Sequence, residues 1–225
     1  SAEALRRASG VRAGATMRLV KMIPIGGGLG GGSSDAAGAL FALERLWGIR
    51  RTPSERAAIA RDLGADVAFF LRGGRALGTG RGDRLSVIEE PEQIAVVIGL
   101  PPFGVATSEF FAGWSDRLTP PGKDVSVRRL SEAFGNGIGD VELSGNDLEA
   151  VAFARWPVLR RFRDALRDNG AVSALLSGSG SSVFGVFDTR NSRDRVARDI
   201  QAGFPDWTVI ATRSVSGGVR VTRLD

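Results

Sequence analysis

"KMIPIGGGLGGGSSDAAGALFALERLWG", residues 21–48, sets six glycines around Leu29 and then turns at once into helix-forming sequence. The helix, read over 33–48, can be capped by Ser33 or Ser34 and puts Ala36, Leu40, Leu43 and Trp47 on one face. On the other flank "ATMRLVKMI" (15–23) alternates like a half-buried strand. Three readings of the glycines compete: a linker, a dinucleotide fingerprint and a phosphate cradle. Linkers are rarely fixed between a strand and a sharply capped helix. The run matches G-x-G-x-x-G at Gly26, Gly28 and Gly31, but that fingerprint wants a buried parallel strand before it and an acid closing the next strand. Here the preceding strand is amphipathic, and "VAFFL" (67–71) ends in Leu71-Arg72. A Walker A loop would place Lys then Ser or Thr after its last glycine, whereas Ser33 and Ser34 follow directly. What remains is a cradle made of backbone. Residues without Cβ let N–H groups approach phosphate oxygens, and the helix start adds unpaired N–H groups and partial positive charge, about 0.3–2 kcal/mol per anionic group. Ser33 and Ser34 serve either as hydroxyl donors to phosphate or as helix caps. Asp35 reads as helix-start chemistry that would face a cation or solvent beside phosphate.

The remaining sequence narrows the chemistry. The 225 residues suit one large domain or two small ones, with a boundary near "EEPEQ" that gives 1–90 and 91–225. Hydrophobic residues make up 43% and charged residues 24%, an ordinary globular mixture. With no cysteine and no histidine, disulfides, thiolate metal sites and the commonest general base are excluded, leaving carboxylates, Lys, Arg, Ser, Thr and backbone. The net charge of +5 is carried by scattered arginines that often neighbour acids, as in "RFRDALRD", which argues against a nucleic-acid groove. No apolar run approaches the ~18 residues of a membrane span, and the start lacks a signal-peptide pattern, so a cytoplasmic protein is expected.

Along the chain, "SAEALRRASG" reads as a helix stopped by Gly10, and Thr52, Pro53 and Glu55 make a capping box for a helix ending at Gly64. "VAFFL" and "RLSVIE" (84–89) read as strands. The second half runs strand "IAVVIGL", helices "TSEFFAGWSD", "VRRLSEAF", "NDLEAVAFAR" and "PVLRRFRDALRDNG", strands "AVSALLS" and "VFGVFD", helix "NSRDRVARDIQAGF" and strand "WTVIATRSV". That order predicts an α+β, ferredoxin-like layer. Asp66, between a helix stop and an apolar run, reads either as a turn aspartate or as a positioned carboxylate. "SGSGSS" (177–182) reads as a hairpin turn, and Asn146 as the cap of the helix it starts.

At this point the residues carry a resemblance. "IPIGGGLGGGSSDAA" resembles the central phosphate-binding motif of the galactokinase, homoserine kinase, mevalonate kinase and phosphomevalonate kinase superfamily. Its spelling, with Gly31 and Gly32 where many relatives have serines, is similar to the 4-diphosphocytidyl-2-C-methyl-D-erythritol kinase branch. "LGADVAFFLRGGRALGTGRGDRL", "GNDLEAVA" and "LSGSGSSVFGVF" resemble further motifs of that branch, in order, over roughly residues 10 to 215. The resemblance implies a two-domain small-molecule kinase fold: an incomplete N-terminal domain like ribosomal protein S5 domain 2, then a ferredoxin-like domain. It implies ATP held by Pro24, Ile25, Gly26, Gly27, Gly28, Leu29, Gly30, Gly31, Gly32, Ser33 and Ser34, with Mg²⁺ bridging its phosphates and few protein ligands to the metal. Asp66 matches the catalytic aspartate, orienting the attacking hydroxyl and accepting its proton late. Gly178, Ser179 and Gly180 would close on the first motif near substrate. Thr107 and Phe111 match substrate contacts, with core packing as the alternative for Phe111. The branch's first strands, with a lysine near that aspartate and aromatic and histidine contacts to cytidine, are expected before Ser1; neither Lys21 nor Lys123 matches that lysine. The partner implied is a small molecule, with neither nucleic acid nor membrane, and oligomeric state is not legible.

Overall fold

The computed structural model describes residues 1–88, 93–105 and 145–222. Contacts divide the chain into two units, one of Ser1–Met22, Gly30–Glu90 and Val215–Asp225, the other of Ile23–Leu29 and Pro91–Ser214. The glycine stretch is therefore shared, its first half belonging to the second unit and its helix to the first.

The first unit holds α1 (Ala2–Ser9), α2 (Gly31–Leu46), α3 (Pro53–Leu63) and α4 (Val67–Arg72). A hairpin follows, β1 (Ala76–Thr79) paired antiparallel with β2 (Arg84–Val87). Leu5, Ala37, Leu40, Leu43 and Ala60 form its buried core, with Ala36 and Trp47 packed against it, so the apolar face read on α2 is the face that packs. The capping box opens α3 as the sequence indicates: Glu55 N–H donates to Thr52 Oγ1 (3.3 Å) and Thr52 N–H to Glu55 Oε2 (2.8 Å). Thr52→Ala is expected to lower stability by about 1 kcal/mol in urea unfolding. The Thr52 hydrogen bonds hold the exposed Glu55 carboxyl below its usual range. That contribution is full above the unfolded value of about 4.3 and is lost as pH falls through the lower folded value. Glu55→Gln should flatten this part of the acid dependence.

Three local expectations are corrected. "VAFFL" is not a strand but most of α4, because an unbroken apolar run carries no period and here it is bounded by Asp66 and by Gly73. Residues 15–23 form no ladder among the described residues, and Met17, Leu19, Val20 and Met22 are exposed; alternation specifies a face but not a partner strand. Helix α2 begins at Gly31 rather than at a serine cap. Gly30, at φ 65°, is its N-cap, and the first intrahelical bond runs from Ser34 N–H to Gly30 O (2.9 Å).

The second unit runs β3 (Ala95–Leu100), α5 (Glu149–Arg155), α6 (Pro157–Asp168), β4 (Ser173–Leu176), β5 (Val183–Phe187), α7 (Arg190–Gly203) and β6 (Thr208–Arg213). Its sheet has the order β4-β5-β3-β6 with every pair antiparallel, which is the ferredoxin-like arrangement expected from the sequence. Phe162 of α6 stacks on Trp207 at 4.3 Å and meets Phe204 edge-on at 4.9 Å, closing the core beneath the sheet. The expected helices "TSEFFAGWSD" and "VRRLSEAF" lie outside the described residues.

Candidate functional site

In the second unit the glycine loop lies against the turn that joins β4 to β5. Ser177 Oγ donates to Gly28 O (2.9 Å), while the N–H groups of Ser181 and Ser182 donate to Gly26 O and Gly27 O (3.1 Å each). Val105 N–H, just beyond β3, also donates to Gly26 O (3.2 Å). The carbonyls of Gly26, Gly27 and Gly28 are thus all turned toward this clasp. In a trans peptide the N–H points opposite the C=O. The N–H groups of Gly27, Gly28 and Leu29 therefore face away from the clasp, and among the described residues none of them donates to a protein acceptor. The approach is too close for a side chain: a Cβ on Gly28, whose φ is 71°, would lie 2.1 Å from Ser177 O and 2.7 Å from Gly180 O. The structure so brings Gly178–Gly180 onto Gly26–Gly28 by backbone contact. Beside them lies a cavity of about 220 Å³, lined by Pro24, Ile25, Gly27, Leu100–Gly104, Ser181 and Ser182. The Ser182 hydroxyl is buried there without a hydrogen-bond partner among the described residues.

In the first unit, α2 starts with no side-chain cap, so the N–H groups of Gly31, Gly32 and Ser33 have no intrahelical acceptor. Ser33 and Ser34 sit half-buried inside the first turn, where their hydroxyls do not cap the helix. Asp35 falls in the second turn because the helix begins two residues earlier than expected, and the Lys21 ammonium pairs with its carboxylate. Asp66 is the N-cap residue of α4, is exposed, and makes no side-chain cap bond. Its carboxylate is therefore exposed at the head of α4 and is not desolvated by the apolar run that follows it. Helix α4 is itself seated on the head of α2: a Cβ on Gly30 would stand 2.6 Å from the Phe70 ring.

Thr107 and Phe111 lie outside the described residues. Two contributors carry no site role in the reading of the sequence. The "PPFGV" corner (101–105) receives the Ser181 hydroxyl at Phe103 O (2.9 Å), and Asn146 donates to Leu176 O (3.0 Å) and Gly178 O (2.7 Å). The Pro-Pro-x-Gly turn, the hydroxyls of "SGSGSS" and Asn146 itself are visible in the sequence, but not the contacts that join them.

Among the described residues no helix is long and apolar enough to cross a membrane. The family model for the GHMP kinases N terminal domain matches residues 1–74, and that for GHMP kinases C terminal matches residues 128–206. A 4-diphosphocytidyl-2-C-methyl-D-erythritol kinase of Pelotomaculum thermopropionicum is 40% identical over 199 residues, covering 88% of this chain and 69% of the relative. One of Geobacillus kaustophilus is 35% identical over 207 residues, covering 92% and 70%. A crystal structure of a 4-(cytidine 5'-diphospho)-2C-methyl-D-erythritol kinase superposes with a TM-score of 0.76 at 34% identity, covering 97% of this chain and 76% of the other. The homoserine kinase of Cytophaga hutchinsonii, at 19% identity and a TM-score of 0.73 over 88% of this chain and 68% of its own, shares the fold. A lysine-free glycine loop clasped by a second glycine turn, on a chain matched along most of its length by these enzymes, has one family explanation: the protein belongs to the GHMP kinases, in their 4-diphosphocytidyl-2-C-methyl-D-erythritol kinase branch.

Proposed function

We propose that this chain transfers the γ-phosphoryl group of ATP to the 2-hydroxyl of 4-diphosphocytidyl-2-C-methyl-D-erythritol, a step of non-mevalonate isoprenoid precursor synthesis in the cytoplasm. Membership of the family makes it an ATP-dependent small-molecule kinase. The observation that carries the reading is the outward set of N–H groups at Gly27, Gly28 and Leu29, created when the clasp takes the three preceding carbonyls. Such groups suit phosphate oxygens, and so, taken by themselves in the other unit, do the uncapped N–H groups that open α2. The acceptor is supported by the relatives, whose name states it.

Pro24 to Ser34 would hold the nucleotide, the backbone N–H groups binding phosphate and the serine hydroxyls adding donors. Asp66 would accept the hydroxyl proton as the acceptor oxygen bonds to the γ-phosphorus and the bond to the β–γ bridging oxygen breaks, releasing ADP. Gly178, Ser179, Gly180, Thr107 and Phe111 would contact the acceptor, Phe111 by stacking on cytosine. Mg²⁺ would accompany the ATP and neutralise the charge of its phosphates. Neither nucleic acid nor membrane would be a partner.

The test is ADP release by this chain with ATP, Mg²⁺ and a panel of alcohols. ADP release is expected with the cytidine diphosphate substrate and not with homoserine, mevalonate or galactose. Turnover confined to another alcohol would replace the acceptor, and nucleotide binding without turnover on any of them would leave a binding remnant instead of an enzyme.

A further inference from the structure

We propose that Asn146 is a positioning residue for the nucleotide phosphates, acting through the 177–182 turn; this rests on the kinase reading above. From sequence Asn146 looks like a helix cap, yet α5 starts at Glu149 with Leu148 as its N-cap residue and no side-chain cap bond. The Asn146 amide does three things instead. Its Oδ1 accepts from Leu148 N–H (3.0 Å), and its Nδ2 donates to Leu176 O (3.0 Å) and Gly178 O (2.7 Å). The orientation of the amide follows from its partners, since a backbone N–H can only donate and two carbonyls can only accept. Three residues along the same segment, Glu149 Oε1 accepts from Leu176 N–H (2.8 Å), while its Oε2 meets Arg163 Nη1 at 3.5 Å. Both backbone groups of Leu176, the last residue of β4, are therefore taken by residues 146–149.

The turn that starts there is the one that fixes the glycine loop. Ser177 Oγ reaches Gly28 O, and the N–H groups of Ser181 and Ser182 reach Gly26 O and Gly27 O. Asn146 Nδ2 grips Gly178 O, in the middle of this clasp, and among the described residues none of its side-chain hydrogen bonds goes to the glycine loop itself. Its effect on phosphate must pass through the turn: if Gly178 is released, the donors at 177, 181 and 182 lose their fixed spacing. The peptide planes at 26–29 can then rotate, and the outward N–H groups lose their common direction.

Two substitutions separate this role from a cap or a simple turn. Asp is as good as Asn at accepting a backbone N–H, but it presents an oxygen where Nδ2 donates, against two carbonyls. Asn146→Asp is therefore expected to raise the KM for ATP about tenfold or more, the scale of one to two lost hydrogen bonds, with kcat changed less and the acceptor KM unchanged. Asn146→Ala, which removes the donors without adding charge, is expected to move the ATP KM in the same direction by a smaller factor, and it decides the matter if the Asp variant does not fold. Binding of a fluorescent ATP analogue is measured in parallel. A wild-type chain that binds no nucleotide would sink the kinase reading. A wild type that binds and turns over, beside variants that keep its ATP KM, would instead overturn the role of Asn146 alone.

Discussion

Asp66→Ala is expected to lower kcat by at least about a hundredfold and to leave the thermal midpoint and the affinity for ATP where they were. The fold gives this substitution little to lose. Asp66 is exposed at the head of α4, caps nothing with its side chain, and forms no ion pair among the described residues. Its backbone carbonyl, which accepts from Phe70 N–H at 3.3 Å, survives the change. A residue that contributes nothing to folding can still contribute the factor of about 10² to 10⁴ typical of a positioned general base. Because the carboxylate would meet the acceptor hydroxyl and not the nucleotide, the loss falls on kcat while the ATP KM stays constant. Asp66→Glu keeps the charge but moves it by one methylene, so it should restore only part of the rate, since a displacement near 1 Å costs on the order of a hundredfold where alignment matters. Turnover retained in Asp66→Ala would remove this residue from catalysis and direct the search for a base to another carboxylate.

The parts of this architecture legible in sequence are those decided locally. The Thr52, Pro53 and Glu55 box needs only neighbours, and it forms as read. The apolar spacing of α2 marks the face that is buried. The proposal of a backbone cradle for phosphate rests in sequence on Ser33, which follows the glycines directly and excludes a Walker lysine. Failures occur where the deciding contact is remote or the pattern is degenerate. Val67–Arg72 is apolar enough to be either helix or strand, and only its seat against α2, with Phe70 on Gly30, makes it a helix. Asp66 consequently opens a helix rather than preceding a strand. The clasp joins Ser177 to Gly28 across 149 positions, and Asn146 reaches Gly178 across 32, so no local window contains either bond. Thr107 and Phe111 rest on resemblance alone.

Gly28→Ala has the second largest expected effect, on stability and activity together. At φ 71° an L-residue already meets backbone repulsion of roughly 1–2 kcal/mol. The larger difficulty is the methyl group, which would sit 2.1 Å from Ser177 O, 2.7 Å from Gly180 O and 2.9 Å from Gly180 N. All three atoms are backbone, so no side-chain rotation relieves them and the two loops must part. Parting breaks the bonds to the carbonyls of Gly26, Gly27 and Gly28, which gave the outward N–H groups their direction. Unfolding in urea should show a loss of about 1–3 kcal/mol, the range for inserting a methyl where packing is already closed. The ATP KM should rise more than about tenfold, beyond the effect of Asn146→Asp, because the clasp is opened outright rather than loosened. Gly32→Ala is the internal control. That residue lies in the first turn of α2, and a Cβ there meets nothing within 4 Å, so the fold is unchanged or gains up to about 1 kcal/mol. Any rise in ATP KM in Gly32→Ala must then come from crowding of the bound ligand, whereas the rise in Gly28→Ala comes from a change in the protein. Wild-type stability and wild-type ATP KM in Gly28→Ala would mean that the clasp does not hold the loop, and with it would go the physical basis for a cradle built from backbone alone.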